Sequence, residues 1–301
     1  MPCETPTPDP ATRRPPLRPV WELLSKTYSE WRKHNAQTLG AALAFYATFS
    51  MTPLLIIVIA IFGVILGKET VQIEILTRAE ELIGAQGASA VKMMIKAAYR
   101  PGTGLPATIT GILVILIGST SALVMLKQAL NIMWGAEPDP NPKASVWHLI
   151  KGRLLSFVMI LIIGFLLMVS LMLSIALSFV AGTLQNWVPM PVYSIQVANW
   201  GLSILLVTLL FAMVFKILPD VKIAWSDVWV GAAITAILFT LGKFLFGMYL
   251  ARSRISSAYG AASSLAIILM WVYYSAQVLL IGAELTQVYA NRYGSQIRPR
   301  H

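Results

Sequence analysis

From Ala261 to Ala283 the chain runs through 23 residues without a charged side chain. At 1.5 Å per residue a helix of that length covers about 35 Å, more than the ~30 Å hydrocarbon core of a bilayer. A backbone crossing hydrocarbon must satisfy its own hydrogen bonds, so the stretch can be a helix and little else. It is not uniformly apolar. Steps of three and four residues meet Ser263, Ala266, Met270, Tyr273, Gln277, Leu280, Glu284, Gln287 and Asn291, a small and polar face. Leu265, Ile267, Ile268, Trp271, Val278 and Leu279 lie beside it. Polar groups in hydrocarbon must point at protein or water, so this stripe is expected to line the place where the protein acts.

Five further apolar stretches accompany it, giving an all-α fold of six transmembrane helices at about 39–66, 107–130, 153–182, 195–218, 228–250 and 261–289. Charged residues make up only 12% of the chain, about half the soluble norm, and mean hydropathy is +0.70. The net charge of +10 therefore does not predict nucleic-acid binding. With the termini inside, fourteen Lys and Arg fall on the cytoplasmic side and seven on the other, which orients the chain with both termini cytoplasmic.

Residues 1–19 carry seven prolines and no apolar run, and read as a disordered cytoplasmic tail with no signal-peptide core. Residues 20–37 read as an amphipathic helix lying flat on the cytoplasmic interface, with Val20, Leu23, Leu24, Tyr28 and Trp31 on its apolar side. The outer loop 68–106 repeats apolar residues at helical spacing among Glu and Lys, predicting one or two amphipathic helices over the outer face. Residues 20–291 thus form one membrane domain, followed by a short cytoplasmic tail, 292–301.

Two stretches carry a family likeness. ALAFYATFSMTPLLIIVIAIFG, Ala42–Gly63, and SSAYGAASSLAIILMWVYYSAQVLLIGAELTQVYA, Ser256–Ala290, resemble the YihY/BrkB family of multipass membrane proteins. The resemblance implies a bacterial cytoplasmic (inner) membrane protein with six spans. Members carry an old ribonuclease label or a link to virulence, and transport of envelope lipids has been suggested for them. The name brings no agreed catalytic residues.

The residues themselves offer a few candidates. Glu284 is the one acidic residue inside a predicted span, and Lys127 is expected beside it at similar depth. The pair is either a structural ion pair or, with Tyr273 and Gln277, part of a polar cavity holding a proton or cation. Lys243, in the outer half of its span, either snorkels or joins Arg252 and Arg254 in an outward-facing anion site. Pro53 predicts a kink in the first span, either as fixed shape or as a hinge. Gly40, Ala44 and Ala47, and the patch Gly118–Ser121, predict close helix packing.

No phosphate-binding glycine loop, metal motif or nucleophile elbow is present. Cys3 is the sole cysteine, and His34, His148 and His301 fall outside the spans and far apart. The expectation is a protein without enzymatic activity, metal or cofactor. Membrane lipids are the expected partners, and a homo-oligomer is compatible with the sequence. The leading reading is a transporter or flippase-like protein for a lipid or other amphipathic, anionic substrate. The alternative is a non-transporting protein that organises or binds envelope components. The two differ in whether a water-accessible cavity reaches mid-membrane beside Gln277 and Lys243.

Overall fold

Residues 17–98, 105–136, 158, 192–252, 262–294 and 298–299 are described by a computed structural model of the protein. The third predicted span, Arg254 and most of the Pro-rich tail lie outside the described residues. What is described is helical: α1 (Leu17–Lys33), α2 (Ala36–Leu66), α3 (Lys68–Ala98), α4 (Leu105–Met133), α5 (Val192–Ile217), α6 (Trp225–Arg252) and α7 (Ser263–Tyr293). Among the described residues four helices are long and apolar enough to cross a membrane: α2, α5 from Trp200, α6 to Leu250, and α7. The predicted limits of the described spans differ from these helices by a few residues at each end. One departure from all-α is small. Val221–Lys222 pairs antiparallel with Arg298–Pro299, tying the tail to the turn between α5 and α6.

The helix expected over 20–37 ends earlier. Asn35 sits in the left-handed region (φ 51°), which breaks the chain after Lys33 and starts α2 at Ala36. Rather than resting on its neighbours by an apolar side alone, α1 packs along the C-terminal half of α7. Thr27 and Trp31 turn inward, while Trp21, Leu24 and Tyr28 remain exposed. The segment expected to hold one or two helices is α3. The two halves of α3 meet at Gly84, whose φ of 73° and ψ of 173° suit a residue without Cβ.

Two apolar clusters hold the bundle. The first joins Ala36 and Leu43 of α2, Leu126–Met133 of α4, Phe211–Phe215 of α5, Val228–Ala236 of α6 and Ala276–Ala283 of α7. It marks the end where α2 and α6 begin and where α4, α5 and α7 finish. The second, at the opposite end, joins Ile59 and Phe62, the inner side of α3, Phe246, Ile267, Ile268 and Trp271. Phe239, Phe246 and Tyr274 pack round Trp271 with ring centroids 5.1–6.0 Å apart.

Candidate functional site

The buried polar residues Thr235, Glu284 and Thr286 gather at the first end, and the α6–α7 seam positions them. Gly231 of α6 receives Thr286 of α7, and Gly282 of α7 receives Thr235 of α6; a methyl at either glycine would collide with the facing threonine hydroxyl. Each hydroxyl donates back to the carbonyl four residues earlier on its own helix, Thr235 to Gly231 at 2.6 Å and Thr286 to Gly282 at 2.7 Å. The threonines therefore leave no unsatisfied hydroxyl in the seam. Farther along, Gly242 accommodates Tyr274, whose hydroxyl donates to the Leu238 carbonyl at 3.2 Å. The repeated motif is legible as GAAIT (231–235) and GAELT (282–286), a signal that a search for catalytic motifs passes over.

This seam places Glu284 inside the protein. Its residue is 0% exposed. One carboxylate oxygen lies 2.6 Å from His34 Nδ1, just after α1, and the other has no hydrogen-bond partner among the described residues. Trp134 at the end of α4 donates its indole N–H to the Ala283 carbonyl at 2.9 Å, closing the third side. Farther out, Arg292 of α7 pairs with Glu22 of α1. The expected neighbour, Lys127, is elsewhere. It lies 2.9 Å from Asp220 in the turn after α5. Asn131, one turn on, exchanges two 2.9 Å hydrogen bonds with Asp220, one through the backbone N–H. Equal depth was a sound guide to which end of the bundle each charge occupies. It could not choose a partner, because His34 is 250 positions from Glu284 and Asp220 is 89 from Asn131.

The predicted polar cavity does not assemble around its four residues. Gln277 is packed against Gly40 of α2, and its amide N–H groups lie 3.4 Å from the carbonyls of Ala36 and Gln37. Its side-chain oxygen is buried without a hydrogen-bond partner among the described residues. Tyr273 is exposed. A recess of about 160 Å³ opens instead between α2 and α4, lined by Tyr46, Ser121, Val124, Met125 and Gln128. Beside it, the Pro53 ring of the uninterrupted α2 rests on Gly118 of α4, where a Cβ would come within 2.9 Å. The packing expected of Gly40 and Gly118 is thus present.

Of the proposed anion site, only Lys243 and Arg252 are among the described residues, and they do not lie side by side. Lys243 is half-buried and has no ion-pair partner among the described residues. Arg252 is exposed nine residues later on the same helix, about 13.5 Å along and half a turn round, and so on the opposite face. Arg254 lies outside the described residues.

Comparison with known proteins gives one family. Residues 27–301 match the family model described as "Virulence factor BrkB". The chain is 29% identical over 256 residues to a UPF0761 membrane protein of Rhodospirillum centenum, covering 84% of this chain and 54% of that one. It is 27% identical over 271 residues to a UPF0761 membrane protein of Actinobacillus pleuropneumoniae, covering 85% and 89%. A relative from Ralstonia nicotianae is 29% identical over 179 residues, 59% of this chain and 38% of its own. The chain thus spans about half the length of the first of these relatives, about two-fifths of the Ralstonia one, and most of the second. No solved structure matches.

Proposed function

The chain belongs to the virulence factor BrkB family of membrane proteins, and from that premise we propose that it moves a lipid or other amphipathic, anionic molecule across the bacterial cytoplasmic membrane. Six spans with both termini inside fit the bundle's directions. Helices α4 and α5 finish at the same end, as the second and fourth of six spans would. The observation that carries the transport reading is the recess between α2 and α4. It brings the Tyr46 phenol, the Ser121 hydroxyl and the Gln128 amide together with Val124 and Met125, an amphipathic lining suited to a polar headgroup. At about 160 Å³ it is smaller than the ~300 Å³ of a modest ligand site, so passage requires α2 and α4 to part. The seam that must open is the one where Pro53 rests on Gly118. Lys243, half-buried and without an acidic partner among the described residues, is a second attraction for an anionic group.

A second reading, a non-transporting protein that organises or binds envelope components, is favoured by Gln277. That side chain is seated on Gly40, in the region where an aqueous path was expected. The two readings part in reconstituted liposomes. Transbilayer movement of labelled anionic and zwitterionic lipids is compared for wild type, Gln128→Leu and Lys243→Met, with a proton gradient and with ATP supplied in turn. Transport predicts faster movement of the anionic lipid by wild type and slower movement by Gln128→Leu. If wild type, folded and inserted, moves neither lipid under any condition, transport of lipids is ruled out and the organising role stands.

A further inference from the structure

The contact between His34 and Glu284 has a chemistry that neither reading uses. A carboxylate with no exposed surface is costly unless its charge is matched, by several kcal/mol for an isolated ion. Here the match comes from one ring nitrogen at 2.6 Å, while Oε2 has no partner among the described residues. The other charged groups facing Glu284 are Glu30 and Lys33, both on α1, and they pair with each other at 3.2 Å. Among the described residues, α4 brings the Trp134 indole and α6 the Gly231–Thr235 turn to this neighbourhood, neither of them charged. The neutrality of the buried unit thus depends on a single proton shared between an imidazole and a carboxyl.

We propose that His34 and Glu284 form a proton-binding site that clasps α1 onto α7, and that loss of the shared proton releases α1. With one proton the pair is neutral overall, whichever atom carries it, and the burial is tolerated. Without it, a neutral imidazole faces a carboxylate whose second oxygen already lacks a donor among the described residues. The charge is then best accommodated by letting water in, and the element free to move aside is α1. That helix is held otherwise by an exposed Glu22–Arg292 pair and by Thr27 and Trp31. A proton shared by an imidazole and a carboxyl is lost as pH rises, so the site can respond to the pH on the side where α1 lies. A gained second proton is less disruptive, because His34 is 18% exposed and its cation is partly solvated.

The test is independent of transport. Spin labels are placed at Ser25 on α1 and at Tyr293 on α7, both exposed, after Cys3→Ser, and distances are measured in liposomes from about pH 5 to about pH 9. Wild type should show one short distance at the acid end. The ratio of open to clasped molecules should climb with pH, by up to about tenfold per unit for a one-proton linkage. Glu284→Gln removes the carboxylate, so loss of the imidazole proton leaves no buried charge, and the variant should stay clasped as pH rises. His34→Lys, whose ammonium remains charged across the range, should do the same, and it serves if the glutamine variant does not fold. A wild-type distance that ignores pH would overturn the proposal, and so would an unchanged pH response in His34→Lys.

Discussion

The two ends of the bundle are built on different physics. At the end where α2 and α6 begin, the apolar cluster is laced with directional contacts between distant parts of the chain: His34 to Glu284, Lys127 and Asn131 to Asp220, Trp134 to Ala283, Glu22 to Arg292. At the other end, α3 covers a cluster of Ile59, Phe62, Ile267, Ile268 and Trp271. The ion pairs described there, Arg78 with Glu74 and Glu81, stay within α3. Apolar packing is tolerant of small displacements, whereas a 2.6 Å contact to a buried carboxylate is lost or kept. The first end can therefore switch in response to charge, and the second can only loosen.

The largest expected effect follows from that asymmetry. His34→Ala leaves Glu284 buried and unmatched, and should lower stability by about 3–5 kcal/mol. The double variant His34→Ala with Glu284→Ala should recover much of the loss, because the stranded charge is gone. Thermal unfolding in detergent reads both. Single effects that merely add would show that the two side chains do not act as a unit. At the opposite end, Ile268→Ala removes a fully buried side chain and should cost about 2–5 kcal/mol through the cavity it leaves. That loss should be the same at acid and alkaline pH. A pH-dependent loss would erase the contrast between the ends.

The seam between α6 and α7 sharpens the comparison from within the first end. Gly282→Ala adds a methyl where the Thr235 side chain already lies, and overpacking of this kind costs about 1–3 kcal/mol. Thr235→Ala vacates that space, so the double variant should be more stable than Gly282→Ala alone. If removing Thr235 gives no relief, the glycine is there for some reason other than close approach.

Much of this architecture was legible. Long charge-free apolar runs favour spanning helices, so the four described helices long and apolar enough to cross a membrane fall where hydropathy puts them, and the spacing of Val71, Ile75, Leu82 and Ile83 foretold the inner side of α3. The polar stripe of α7 faces protein only in part: Leu280 and Glu284 are buried, Tyr273 and Asn291 are exposed, and the flanking Ile267, Ile268 and Trp271 are buried as well. What faced it was not legible. Helical periodicity assigns Gln277 and Glu284 to a side of their own helix, but the occupants of that side, Gly40 and His34, come from the start of the chain, and no local rule links the two. His34 was set aside because it lies outside the spans, although the end of a helix just outside the membrane is well placed to meet a glutamate near the end of a span. The repeated G-A-x-x-T was visible and went unread, because its meaning is packing and not chemistry.

The smallest expected effect is at Lys127, and it isolates what partner choice contributes. Lys127 and its partner Asp220 are both partly exposed, with 26% and 51% of their side-chain surface accessible. Exposed pairs of this kind contribute about 0–1 kcal/mol, because water solvates either charge when the other is removed. Asp220 also retains its two hydrogen bonds with Asn131. Lys127→Met should therefore lower stability by less than about 1 kcal/mol, against several for His34→Ala at the same end. It should add simply to Glu284→Gln in the double variant, since the two residues share no partner. Coupling between Lys127 and Glu284 above about 0.5 kcal/mol would put the lysine back beside the glutamate and remove His34 as its counter-group.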